Sequence, residues 1–311
     1  MKKTQQNFLE AENPTELTVE IENEGEELSF QTCSDIHLEF FSEEKPYPKD
    51  MITAIAPILL LCGDIGNPDQ EYLLQFLEEQ SKQFKYIFYV AGNHEFYNVR
   101  NEEEKSTYQE RISKLKQINS KISNVFFLER TSVKIIVHRK DNSKDYVIRL
   151  LGTTLWSSVP KKHSLNIQMM LNDYRAIYKT KTDNIKVTDT DELFNKNLLW
   201  IQEECKKSKK SKESQVIIIS HHTPSMKSTS PDDETGVIQH AFCSKLDHLL
   251  NFKKTHISCW CCGHTHRSFN YFTKNTKLIG NQRGYFWEVE KTGYKPDFVF
   301  NLNLNPNQKK K

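Results

Sequence analysis

Apolar residues along the chain gather into short runs that stop at polar residues able to carry chemistry. Residues 28–34 run into Asp35-Ile36-His37, residues 58–62 into Gly63-Asp64, and residues 86–91 into Gly92-Asn93-His94-Glu95. Residues 216–220 run into His221-His222, and residues 257–262 into Gly263-His264-Thr265-His266. Runs of this length, rich in Val, Ile, Leu, Phe and Tyr, predict buried strands, and residues just past strand ends in an α/β sheet line its ligand crevice. Five strand ends therefore deliver Asp, His, Asp, Asn and three His to one edge.

The pattern between these runs predicts the remaining elements. Leu17-Thr18-Val19-Glu20-Ile21 alternates, Asn23-Glu24-Gly25 supplies a turn, and Leu28 onward alternates again, which reads as a hairpin leading into the first ligand strand. Asp69 is placed to cap a helix with Tyr72, Leu73, Phe76 and Leu77 on one face, ending near Gln83 before a strand from Lys85. Strand, helix and strand in this order favour a parallel pair with a right-handed crossover. A second helix from about Glu102 to Ser120 presents Tyr108, Ile112, Leu115 and Ile118 on one side, with its charged residues read as a solvated face. Residues 133–138 and 146–151 flank Asp141-Asn142-Ser143-Lys144 as an antiparallel hairpin. Regularity fades over 157–190, read as a lid-like insertion at the edge where ligands gather. Asp191 is placed to cap the next helix, which runs into the basic stretch 206–212, and a further helix is expected near 242–250. The tail reads as two hairpins: 269–272 with 278–281, then 285–289 with 298–302. Residues 1–16 and 306–311 are expected to be mobile ends around one domain spanning 17–305.

Composition narrows the class. The chain has 311 residues, 37% hydrophobic and 27% charged, as in a soluble globular protein. Lys+Arg of 43 against Asp+Glu of 41 leaves almost no net field, so capture of nucleic acid or of an anionic membrane is not signalled. The lysines near Met1 have no apolar stretch behind them, and no run approaches a membrane span. Seven cysteines, five of them in strand-like runs, read as reduced thiols in a cytoplasmic protein, with Cys259 and Cys262 packed in place of binding zinc.

The pooled side chains suit a pair of divalent metals: carboxylate and amide oxygens are hard ligands, and imidazole suits transition ions. Two ions roughly 3.5–4 Å apart are a recurring device for displacement at phosphorus. A carboxylate must bridge them, and Asp64, alone after its glycine, is the candidate.

The ordered set D-x-H, G-D, G-N-H-E, H and G-H-x-H resembles the calcineurin-like metallophosphoesterase family, over roughly residues 29 to 290. Gly152-Thr153-Thr154-Leu155-Trp156, Asn172-Asp173-Tyr174 and Gly280-Asn281-Gln282-Arg283-Gly284-Tyr285 look like segments of its small, non-protein-phosphatase branches. The resemblance implies an α/β fold, a four-layer α/β/β/α sandwich of two mixed sheets flanked by helices. It implies Asp35, His37 and His266 on one ion, Asn93, His221 and His264 on the other, and Asp64 between them. Two divalent ions, Mn, Fe or Zn, would be the cofactors, and a hydroxide shared by them the nucleophile. His94 would bind the phosphoryl oxygen or leaving group, and Glu95 would orient it. His222 is expected behind a ligand or facing substrate; Asn172 and Asp173 are either substrate-facing or structural. The arginines that grip a phosphoryl dianion in the protein-phosphatase branch are replaced here by Ile65-Gly66-Asn67 and Val90-Ala91. A small phosphodiester or nucleotide-like ester is therefore the favoured substrate. The rival readings are a catalytically silent scaffold, which would be expected to have lost ligands, and a nuclease, which needs a basic groove.

Overall fold

The structure is a computed structural model describing residues 15–98, 105–139, 145–228 and 236–304. The 141–144 turn, residues 1–14 and the 306–311 end fall outside them. Among the described residues twelve strands form two mixed sheets, as the resemblance implied. They are β1 (Thr15–Asn23), β2 (Glu27–Cys33), β3 (Ile58–Cys62), β4 (Tyr86–Val90), β5 (Val125–Phe127) and β6 (Thr131–Arg139). After these come β7 (Tyr146–Thr153), β8 (Gln215–Ser220), β9 (Ile257–Cys261), β10 (Phe269–Thr273), β11 (Thr276–Gly280) and β12 (Val299–Asn303). One sheet has the order β1-β6-β7-β8-β9-β11-β10 and the other β12-β2-β3-β4-β5.

The unbroken apolar runs follow from burial on both faces. In β3, Ile58, Leu60 and Cys62 enter the core between the sheets, while Leu59 and Leu61 pack under the helices. In β8, Ile217 and Ile219 point between the sheets, and Val216 and Ile218 face the helical side. Strands β2, β3 and β4 are mutually parallel, as are β8 and β9. The expected parallel pairing of β3 with β4 is therefore present.

Several expectations are corrected. Strands β1 and β2 are not a hairpin: β1 pairs in parallel with β6, and β2 lies between β12 and β3 in the other sheet. Alternation is satisfied equally by either arrangement, so it cannot choose between them. Thr15 and Glu16 belong to β1 and are not part of a loose end. Asp69 caps nothing: the helix Glu71–Ser81 starts after Gln70, and Asp69 pairs with Arg111 and Lys114. Arg111 is fully buried, so the helix Tyr108–Lys116 does not carry all its charge on a solvated face. That helix begins at a capping box of Thr107 and Glu110.

The long helix runs Val187–Lys210, five residues earlier than a cap at Asp191 implied, with the Asp189 carboxylate accepting from Lys186 N. Residues 242–250 hold no long helix; a short one spans Gln239–Phe242, and Leu246 and Leu250 are buried from irregular backbone. The 285–289 stretch is a turn before the short helix Val289–Thr292, and β12 pairs with β2. All seven cysteines are buried and free, as packing residues should be.

Candidate metal centre

Three strand ends from one sheet and two from the other converge. Asp35 and His37 follow β2, Asp64 follows β3, Asn93 and His94 follow β4, His221 follows β8, and His264 and His266 follow β9. The approach is close enough to require glycine: a Cβ on Gly63, whose φ is +85°, would lie 2.5 Å from His221 Nδ1, and one on Gly92 would collide with Asp64 Oδ1. Asp35, His37, Asp64, His264 and His266 all have φ between +49° and +74°. Non-glycine residues held there cost about 1–3 kcal/mol each, and such strain collects at functional sites.

Three groups could each hold an ion through atoms within 4.8 Å of one another: Asp35, His37 and His266; His37, Asp64 and His94; and Asp64, His221 and His264. His37 Nδ1 donates to Glu39 Oε1 at 2.8 Å, His266 Nδ1 to Glu288, and His221 Nδ1 to the Cys62 carbonyl at 2.9 Å. These bonds fix each tautomer and leave Nε2 as a lone pair. The free nitrogens then face other acceptors: His37 Nε2 is 3.0 Å from His266 Nε2, and His221 Nε2 is 3.0 Å from Asn93 Oδ1 and 3.1 Å from His264 Nδ1. Ligands about 2.1 Å from an ion and at right angles lie about 3 Å apart, so the spacing fits a cation between them. Asp64 Oδ2 reaches both clusters, 3.8 Å from His37 Nε2 and 3.3 Å from His221 Nε2. The donor set therefore fits divalent ions.

Burial works against charge on His221, but Asp64 raises its pKa to about 9, so a proton takes up the lone-pair conflict in the metal-free chain. Burial keeps His37 and His264 below the ordinary histidine value. On Asp64 burial opposes ionisation, yet His221 and His94 hold the carboxyl well below its usual range.

Glu95 does not orient His94. Its buried carboxylate accepts from Asp64 N at 3.0 Å, Ile65 N at 2.7 Å, Gly92 N at 2.7 Å and the Tyr89 hydroxyl at 2.7 Å, pinning the two glycine turns together. His94 Nδ1 instead meets Glu39 Oε1 at 2.9 Å, the same oxygen that holds His37. The remaining His94 nitrogen lies 3.4 Å from the Tyr285 hydroxyl, and the ring stacks on Tyr97 at 4.3 Å. Burial again opposes the His94 charge, and Asp64 and Glu39 raise its pKa to about 9.

His222 is buried behind the site, 4.2 Å from the His264 ring and 5.1 Å from Trp156, and is not among the residues lining the cavity. Of its two expected places, behind a ligand or facing the cavity, the packing matches the first. Asp173 accepts from Asn93 Nδ2 at 2.9 Å and from Tyr97, which turns the Asn93 oxygen toward His221. Asn172 lines the cavity.

Glu39 and Glu288 lie outside the motifs, and Tyr285 closes the Gly280–Tyr285 segment without a role having been assigned to it. Glu39 had a signal, a carboxylate two residues past a candidate ligand; Glu288 and Tyr285 come from a distant turn that only the fold brings near. The cavity beside the cluster is about 350 Å³ and is lined by Asp64, Asn93, His94, Tyr97, Met170, Leu171, Asn172, Asp173, Phe242, His264, Thr265, His266 and Tyr285. None of these described residues is Lys or Arg.

Two stacked mixed sheets that pool histidines, carboxylates and an asparagine at their carboxyl ends define the metallophosphoesterase class of α/β sandwich. The chain belongs to the calcineurin-like phosphoesterase family, whose profile matches residues 32–268. An uncharacterized protein of Acanthamoeba polyphaga mimivirus is 28% identical over 277 residues, covering 82% of this chain and 90% of that relative. The crystal structure of a phosphopantetheinyl hydrolase from Mycobacterium tuberculosis superposes with a TM-score of 0.67 at 13% identity, covering 92% of this chain and 99% of that one. The likeness to that structure is one of fold. No helix among the described residues is long and apolar enough to cross a membrane.

Proposed function

We propose that the chain hydrolyses small phosphate esters with two divalent ions, one held by Asp35, His37 and His266 and the other by Asn93, His221 and His264, with Asp64 shared. The observation that carries this reading is Asp64 Oδ2, placed within 3.8 Å of a lone-pair nitrogen in each cluster. The bound ions would supply Lewis acidity that activates water and neutralises phosphoryl oxygens. Asp173 keeps the Asn93 oxygen inward, and Glu39 holds the His37 and His94 rings in place. His94, with Nδ1 committed to Glu39, presents Nε2 to the cavity, where it would hold a proton for the leaving group.

A diester or nucleotide-like ester is favoured over a monoester, because a dianion needs more positive charge than a cavity without lysine or arginine offers. Mn, Fe or Zn suit the mixed nitrogen and oxygen donors. The seven free cysteines are in keeping with a reducing, cytoplasmic setting. A hydrolysis screen over phosphomonoesters, diesters and nucleotide pyrophosphates with Mn²⁺, Fe²⁺, Zn²⁺ and Mg²⁺ tests the reading. Metal-dependent turnover at least as good on diesters as on monoesters is expected; preference for a phosphoprotein over every small diester would reverse the substrate choice.

A further inference from the structure

Tyr285 is the inner tile of an aromatic ladder that climbs out of the cavity. Its ring lies 4.4 Å from His37 and 4.6 Å from His266. Trp287 stacks on it at 4.7 Å with an interplanar angle of 20°, and Phe40 and Phe286 brace the Trp287 ring edge-on at 5.7 Å and 4.8 Å. These outer tiles are open to solvent: Trp287 is 58% exposed, Phe40 42% and Phe286 40%. Of the four tryptophans, Trp156, Trp200 and Trp260 are buried, so Trp287 stands apart. Large aromatic surface left in water beside a reaction centre marks a binding surface. Met170 and Leu171 give the cavity an apolar wall as well.

We infer that this ladder is the subsite for a flat aromatic group on the ester, a nucleobase, stacked on the outer face of Trp287 while the phosphoryl group sits at the metal cluster. The inference rests on the phosphodiesterase reading of the cavity and names the substrate class as nucleoside phosphodiesters. Base stacking on an aromatic side chain needs no hydrogen-bond readout, since every base has a π-face. An anionic lipid surface fits less well, because the segments that carry the rings also carry Glu39, Glu43, Glu44, Glu288 and Glu290 against Lys45, Arg283 and Lys291, and Arg283 is buried.

The test compares hydrolysis of adenylyl-(3′→5′)-adenosine with that of glycerophosphoethanolamine, an alkyl diester, in the full chain. Trp287→Ala is expected to lower the preference for the nucleoside diester about 10-fold, mainly through KM. Phe272→Ala, which removes an exposed ring on β10 away from the ladder, should leave that preference intact. Adenosine 5′-monophosphate should quench the emission of the exposed tryptophan, and glycerol 3-phosphate should not. A preference unchanged in Trp287→Ala, with no quenching by the nucleotide, overturns the inference while leaving the phosphoesterase reading standing. If no ester is turned over with any metal, that reading fails, and the quenching alone decides the subsite. Binding to neutral phosphatidylcholine vesicles that is lost in Trp287→Ala, without a change in nucleoside preference, would assign the ladder to a lipid surface and also overturn it.

Discussion

In the half of the proposed centre formed by Asp35, His37 and His266, each imidazole is backed by a carboxylate, Glu39 or Glu288. In the half formed by Asn93, His221 and His264, His221 is backed by the Cys62 carbonyl, and His264 Nε2 has no hydrogen-bond partner among the described residues. The carboxylate behind this second half, Asp173, holds the Asn93 amide and no imidazole, and burial raises its pKa. The first half is thus backed by two carboxylates on its imidazoles and the second by none, with Asp64 common to both. A carboxylate behind a histidine makes the ring a better donor, so the first half should hold its ion more tightly. The second is the half suited to exchange.

Removing what the halves share should have the largest effect. Asp64→Ala is expected to abolish turnover and lower metal content in both halves; a purified variant that kept two ions and most of its activity would sink the bridging assignment. Next comes a pair of neighbours that separates binding from chemistry. Asn93→Ala should empty only the weaker half, with activity partly restored by excess metal. His94→Ala should keep its metals and lose turnover on the order of 10²–10⁴-fold, least for nitrophenyl esters, whose leaving groups need protonation least. Equal loss on all leaving groups would remove the general-acid role.

Glu39→Gln tests the first half directly, since one oxygen serves both His37 and His94. It should cost about 10–100-fold in metal affinity or activity, read by competition with a chromogenic chelator and by turnover. An unchanged affinity of the tighter ion would erase the proposed difference between the halves.

The smallest effect is a pH dependence of stability confined to the metal-free chain. Asp64 raises the His94 and His221 pKa values to about 9 against burial, so each contributes stability that is complete below about 6.5 and lost as pH rises through about 9. His37, His222 and His264 have lowered values, and their contribution is lost as pH falls below about 6.5. Chelator-treated protein should therefore melt highest near pH 6.5 in a thermal scan. A melting temperature that rose from pH 6.5 to 9 would contradict the assigned protonation.

The ligand strands were legible because each is buried on both faces and each stops at a glycine or a charged residue, a pattern that survives without knowing which sheet a strand joins. The partner of β1 was not legible, since alternation in 17–21 records a buried face and not the neighbour across it. Glu95 illustrates a similar limit at the site. Its place after His94 suggested a partner one residue away, whereas the turn directs its carboxylate back to the amides of residues 64, 65 and 92. Glu288 reaches the centre from a loop more than 190 residues from His94 along the chain, which no local pattern could announce, and Tyr285, in a segment the sequence did mark, gained its place only from the fold.

Electron paramagnetic resonance of the protein loaded with Mn²⁺ tests the central claim most directly. Two manganese ions sharing the Asp64 carboxylate should give the spectrum of a spin-coupled pair at two ions per chain. A spectrum of isolated ions at full loading, or saturation at one ion per chain, would contradict the account.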